Sequence, residues 1–176
     1  MDKLNLLALS GSLRQQSYNT ETLKALALLA PAQVDITLAN ISELPLFNPD
    51  IEGQQIPALA SLKAAVKNAD GLIIASPEYA HGISAPMKNT LDWLVSGDEF
   101  PNKSIMLINT SPRAYHALDA LKEVLTTMSG IIIDDAYVAI PLLGTDLITA
   151  DIIANSPHRL LLNTGLAHFI SAIAHR

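Results

Sequence analysis

Two hydrophobic rhythms alternate along the chain. Leu4 to Ser10 is a short, almost wholly apolar run, the length of a strand buried on both faces. After a polar loop, Leu23, Leu26, Ala27 and Ala30 recur at helical spacing, with Asn19 or Thr20 as the N-cap and Pro31 ending the run. Val34 to Leu38 reads as a second strand. A loop holding Pro45, Asn48, Pro49 and Gly53 leads into a helix from about Pro57 to Ala69, whose Leu59, Leu62, Val66 and Ala69 share a face. Gly71 to Ser76 is a third strand, again apolar throughout.

The same alternation continues to the end. Beyond the loop 77–86, Met87, Leu91, Leu94 and Val95 predict a helix that Gly97 stops. Ser104 to Asn109 is the fourth strand. Ser111 then caps and Pro112 opens a helix with Ala114, Leu118, Leu121, Leu125 and Met128 inward and Gly130 just past its end. Ile131 to Ile140 reads as the fifth strand. A last helix runs from about Pro157 to Ala174, capped by Ser156, with Gly165 inside it costing about 1 kcal/mol of helix preference.

Five strands alternating with five helices, without linkers or repeats, imply parallel βαβ units with right-handed crossovers and a sheet covered on both faces. The expected fold is α/β, a three-layer sandwich with a five-stranded parallel sheet in the flavodoxin-like order 2-1-3-4-5, filling residues 1–176 as one domain. In that order the connections after the first and third strands leave on opposite faces and open a crevice between them. The ligand is expected there, between the loops 10–19 and 76–86.

Composition narrows the chemistry. The 176 residues are 49% apolar and 16% charged, which excludes disorder, and the net charge of -6 disfavours nucleic acid and anionic lipid as partners. No apolar stretch reaches the roughly 20 residues of a membrane span and none resembles an export signal, so the expected location is the cytoplasm. There is no cysteine, so thiolate catalysis, disulfides and protein-held iron-sulfur clusters are excluded. Redox chemistry, if present, rests on a cofactor. No pair of histidines stands with an acid at metal-ligand spacing, and no metal is expected.

The first loop reads Ser10-Gly-Ser-Leu-Arg-Gln-Gln-Ser-Tyr-Asn19. Ser10, Ser12, Arg14, Ser17 and Asn19 between a strand and a helix N-terminus make an anion cradle: hydroxyls and backbone N–H groups donate, the helix dipole favours negative charge, and Arg14 brings a fixed, fork-shaped cation. Each of these residues alone suits a capped polar turn better than a cradle, and only their gathering at the crevice favours the cradle. The loop is neither G-x-G-x-x-G nor G-x-x-x-x-G-K-[ST], which favours a mononucleotide over a dinucleotide or phosphoryl transfer.

The second loop is Ser76-Pro-Glu-Tyr-Ala-His-Gly-Ile-Ser-Ala-Pro86, with Pro77 and Gly82 expected to set its backbone. It suits a planar heterocycle, with Tyr79 and His81 at its edge or face. Both are equally readable as a surface aromatic and a solvated loop histidine. Asn89 and Asp92 are expected to brace this loop by hydrogen bonds, and Trp93 to pack or to meet a partner subunit.

The segments GSLRQQSYN and SPEYAHGISAPMKNTLDW, each after its strand, resemble the two signature segments of the NADPH-dependent FMN reductase family, which is flavodoxin-like and includes quinone, azo-dye and chromate reductases. The resemblance covers nearly the whole chain. It implies that Ser10, Ser12, Arg14, Ser17 and Asn19 bind the phosphate of FMN, and that Pro77, Glu78, Tyr79, His81 and Gly82 line its ring, largely through backbone groups. It also implies NADPH or NADH as co-substrate and a quinone, free flavin or similar small molecule as electron acceptor. Many family members are glycine-rich after the fourth strand, whereas this chain has Asn109-Thr-Ser-Pro-Arg-Ala-Tyr115; Asn109 and Ser111 are expected to reach the flavin, and Arg113 is read as a solvated first-turn arginine.

Two other functions fit an FMN cradle: a flavodoxin-type electron carrier that does not oxidise NAD(P)H, and a nucleotide-binding module without redox activity. The arginine in the phosphate loop weighs against the carrier, since flavodoxins usually cradle phosphate with Ser, Thr and Asn. Trp93, Leu94 and Val95 present more apolar surface than one sheet face needs, and the resembled family commonly dimerises there, so a homodimer or a dimer of dimers is expected.

Overall fold

Every strand of the sheet's centre carries apolar residues on both faces, so each must be covered twice. In the computed structural model, which describes residues 3–111, 113 and 115–176, β1 (Leu4–Ser10), β2 (Val34–Leu38) and β3 (Gly71–Ala75) form half of a parallel sheet. A hairpin of β4 (Glu78–Tyr79) and β5 (Gly82–Ile83) stands apart from it. β6 (Ser104–Asn109), buried at all its positions, pairs with β3 on one side and with β7 (Ile131–Ile132) and β8 (Val138–Ala139) on the other. The order is β2-β1-β3-β6, followed by β7 and β8 sharing the last position, as the expected 2-1-3-4-5 requires.

The fifth strand is where the structure departs from the expectation. Ile131 to Ile140 is not continuous: a single 3₁₀ turn at Asp134–Ala136 lifts out of the sheet, so β7 pairs with Ser104–Ile105 and β8 with Ile108–Asn109. Asp134 and Asp135 are the physical cause, because adjacent carboxylates favour a solvated turn over a slot in an apolar sheet.

Two apolar layers sandwich the sheet. Leu6, Ala8, Ile73, Ala75, Met106 and Ile108 face one layer, while Leu7, Leu9, Leu72, Ile74, Ile105 and Leu107 face the other, as period-2 alternation demands. The first layer holds α1 (Tyr18–Leu29) through Leu23 and Leu26, together with α5 (Thr149–Ala154) and α6 (Ser156–Ala174). The second holds α2 (Pro57–Asn68), α3 (Ala85–Leu94) and α4 (Tyr115–Thr127). Thus β1 feeds a helix on one face and β3 feeds a helix on the other, and the crevice lies between their exits.

Several helix ends differ from expectation. Ser17, not Asn19 or Thr20, caps α1, accepting from the Thr20 amide. Asn155 caps α6 one residue ahead of Ser156, and the short α5 before it has too few turns to show a period. α4 begins at Tyr115 rather than near Ser111; the expected roles of Pro112 and Ala114 lie outside the described residues. Gly165 has a packing reason: a Cβ there would sit 2.3 Å from Val138 Cγ2 and 3.1 Å from the Ala136 carbonyl oxygen, so α6 rides directly on β8 and the 3₁₀ turn.

Trp93 and Leu94 are fully buried and only Val95 of the trio is exposed. Trp93 Nε1 donates to the Pro45 carbonyl at 2.8 Å, with Phe47 packed edge-on to its ring at 5.1 Å. Asn89 donates to the same carbonyl and accepts from the Phe47 amide, so it braces the 45–47 segment rather than the loop 76–86. Asp92 pairs with Lys88 at 2.6 Å. Consecutive helix residues diverge by about 100°, which is why these three neighbours do not form one outward patch.

Candidate functional site

The crevice is built by close approach of two loops. After β1 the chain passes Gly11, where a Cβ would lie 2.3 Å from Ser76 Oγ and 2.8 Å from Ser84 Oγ, so glycine alone lets the loops meet. The Gly11 amide donates to the Ala75 carbonyl at 2.8 Å. Ser84, fully buried at the N-cap of α3, donates to the Gly11 carbonyl at 2.6 Å and accepts from the Met87 amide at 3.4 Å. Its one hydroxyl proton is thereby used, which leaves Ser76 as donor in the 3.2 Å contact between the two hydroxyls.

At one end of the crevice the lining is polar. Ser12, Ser17 and Asn19 are buried there beside the N-terminus of α1, and Arg14 stands exposed at the rim. Asn19 Oδ1 accepts from Thr110 Oγ1 at 3.1 Å, so the donor capacity of this side chain rests on its amide NH₂. Asn109 Oδ1 accepts from the Ser111 amide at 2.8 Å and folds the chain end of β6 into the same wall. Among the described residues no carboxylate lies within ion-pair distance of the Arg14 guanidinium. Ser10 does not line the cleft; its hydroxyl meets Thr20 Oγ1 at 2.7 Å and shapes the loop from behind.

The other end is the β4–β5 hairpin. Its two-residue turn puts Ala80 at φ 48° and His81 at φ 59°, the signature of a type I′ turn, although neither residue is the Gly or Asn that such a turn prefers. A non-glycine residue held there costs roughly 1 to 2 kcal/mol. The expected backbone role of Gly82 is therefore corrected: it lies outside the left-handed region, and a Cβ there would meet nothing closer than the Tyr79 carbonyl oxygen at 3.6 Å. Pro77, Glu78 and Tyr79 line the cleft, whereas His81 and Gly82 do not. His81 instead stacks on His116, with ring centroids 4.4 Å apart, and the Tyr115 ring lies tilted against His116 at 4.1 Å. Glu78 Oε2 accepts from the Ala117 amide at 2.8 Å, in the first turn of α4.

Between the two ends lies a cleft of about 130 Å³, bordered by Asn109, Thr110 and Ser111. Beside it a second hollow of about 550 Å³ shares Arg14, Ser17 and Tyr18 and runs on to Glu21 and the 146–148 segment. Burial pushes the Glu21 carboxyl up, but hydrogen bonds from Lys24 and Thr149 outweigh it and hold the group below the ordinary carboxylate range. Tyr18, Thr110 and Leu143 also border the cleft and were not among the expected residues. The signal for Thr110 was available: it follows the fourth strand directly, at the sheet end where the loops converge. Leu143 carried none. Arg113 is exposed, as a solvated side chain would be.

Donors and one cation at one end, with proline and tyrosine walls at the other, fit a phosphate-bearing planar ring. Similarity to known proteins agrees with this chemistry. An NAD(P)H-dependent FMN reductase of Pseudomonas aeruginosa is 37% identical over 101 residues, covering 57% of this chain and 55% of that protein. An NADPH:quinone oxidoreductase of Arabidopsis thaliana is 41% identical over 95 residues, covering 51% of this chain and 48% of that protein. The chain thus matches about half the length of these relatives. Among solved structures, FerB, a flavoenzyme NAD(P)H:(acceptor) oxidoreductase of Paracoccus denitrificans, shares the fold at a TM-score of 0.74 and 22% identity, over 95% of this chain and 97% of that one. The family model for NADPH-dependent FMN reductases matches residues 4–143, a span containing both loops, β6 and all the cleft residues named above, and the chain belongs to that family.

Proposed function

We propose that this chain, acting as one FMN-binding domain, takes electrons from NADH or NADPH and passes them to a quinone, free flavin or similar small acceptor. The observation that carries the reading is Arg14: a guanidinium without a carboxylate partner among the described residues, beside three buried donors and a helix N-terminus. Such a set is built for a dianionic phosphate. When bound, FMN supplies the hydride- and electron-accepting chemistry that the twenty side chains lack.

The protein's own part is placement. Ser12, Arg14, Ser17 and Asn19 hold the phosphate, with Asn109, Thr110 and Ser111 along the connecting side. Pro77 and Tyr79 wall the ring end, and the exposed Tyr79 shapes the face at which nicotinamide and acceptor take turns. No side chain is needed as general acid or base. The nicotinamide reductant is an intracellular coenzyme, which supports a cytoplasmic location.

Tyr79 and Leu143, which border the cleft, are both more than half exposed, at 52% and 56%. Apolar groups gathered there favour a covering surface, and a second copy of the chain is the proposed cover, as a homodimer or a pair of dimers. A monomer by light scattering at micromolar concentration would overturn this.

The phosphate assignment is tested by titrating FMN and riboflavin into wild type and Arg14→Ala and following flavin fluorescence quenching. A hydrogen bond to a charged group is worth about 1.5 to 3 kcal/mol, so the variant is expected to lose roughly 10- to 150-fold in FMN affinity and almost nothing for riboflavin. Equal FMN binding by the two proteins would refute the assignment. Oxidation of NADPH with a quinone by the FMN-loaded protein, faster than with free FMN, then separates an enzyme from an electron carrier.

A further inference from the structure

We propose that Glu78 is a positioning residue, whose carboxylate latches the hairpin wall of the cleft to α4 rather than contacting a ligand. Three observations converge on this. Glu78 lies within the cleft wall, yet its Oε2 accepts the Ala117 amide at 2.8 Å, 39 positions away. The hairpin is a two-stranded sheet of its own, so the ladder of the main sheet does not hold it. Its turn places Ala80 and His81 in the left-handed region, a conformation that persists in such residues only when the surroundings impose it.

Among the described residues, one hydrogen bond and one ring stack run from the hairpin to the first turn of α4, and they act at different points. The His81–His116 stack touches the tip of the turn, where both rings are exposed. The Glu78 bond acts at the base, next to Pro77 and Tyr79, and meets an N–H that the helix itself leaves without an internal acceptor. A carboxylate there gains both the hydrogen bond and the favourable end of the helix dipole. The strain in the turn pulls against the latch, and the latch fixes where Tyr79 stands.

The inference takes the cleft to be the flavin site, but the latch belongs to the ligand-free chain and is tested there first. Hydrogen exchange of the amides of residues 79–83 and of Ala117 is measured in wild type, Glu78→Ala and Glu78→Gln without flavin. In Glu78→Ala these amides are expected to exchange roughly 10- to 100-fold faster, while amides of β1 and β3 do not change; Glu78→Gln, which keeps an acceptor oxygen, recovers most of the protection. Unchanged exchange in Glu78→Ala overturns the proposal.

Flavin titration supplies the second arm. Glu78→Ala is expected to weaken FMN and riboflavin by the same factor, since the ring wall and not the phosphate end is disturbed. Adding A80N and H81G to Glu78→Ala installs the turn pair that prefers this geometry, and it is expected to restore both affinities to within a few-fold although the His116 stack is lost. If the restored turn brings back protection but no affinity, Glu78 contacts the flavin directly and the proposal fails. If wild type binds no flavin, the functional reading fails, while the exchange data still decide the latch.

Discussion

Ser84 Oγ donates to the carbonyl oxygen of Gly11 at 2.6 Å across 73 positions of sequence, and so joins the loop after β1 to the loop after β3 at a buried point. The same hydroxyl caps α3. Ser84→Ala removes both the cap and the tie and leaves a buried carbonyl without this partner, a loss of about 1 to 3 kcal/mol. In urea the unfolding midpoint is expected to fall with an unchanged slope. A midpoint equal to that of wild type would show that the tie carries no stability.

Acid stability depends in part on Glu21, which receives hydrogen bonds from Lys24 at 2.8 Å and from the Thr149 amide at 2.9 Å and so links α1 to α5. Its carboxyl is held below the ordinary range in the folded protein, because these bonds outweigh the opposing effect of burial. The unfolded chain therefore takes up the proton first, and the stabilisation is complete above the ordinary carboxylate range and lost as pH falls through the lowered folded value. Glu21→Gln has no such proton to take up. Its stability is expected to lie below wild type near neutrality, with the gap closing in acid; parallel curves of stability against pH for the two proteins would contradict this.

Gly165 lies in α6, where alanine is ordinarily preferred by about 1 kcal/mol. Here the added methyl would press on Val138 at 2.3 Å and on the Ala136 carbonyl oxygen. Overpacking of this kind costs roughly 1 to 3 kcal/mol, so Gly165→Ala is expected to lower Tm by several degrees. The sign decides: a rise in Tm would mean that the helix shifts off β8 without penalty.

How much of this was readable in the sequence depends on the length of each signal. β1, β2, β3 and β6 are runs of five or more residues bounded by turn formers, and their limits agree with the apolar runs almost to the residue. β4, β5, β7 and β8 have two residues each, too few for any period to show. The hairpin was hidden further because Ala80-His81 lacks the Asn-Gly signature that marks such turns. At the site, Ser12, Arg14, Ser17 and Asn19 were legible because they are polar residues packed between a strand and a helix. The turning away of Ser10 and His81 was not, since it depends on Thr20 and His116, whose positions only the fold determines.

The 3₁₀ interruption between β7 and β8 has a consequence for how this protein lives at high concentration. A long, flat outer strand offers its unpaired amides and carbonyls as a template for strands of other molecules, the first step toward ordered aggregates. On this side of the sheet the outermost backbone presents two residues, then a helical turn bearing Asp134 and Asp135, then two residues more. No incoming strand finds a run long enough to zip onto, and the two carboxylates meet whatever tries. The five-residue β2 forms the opposite border, with Asp35 exposed at its second position.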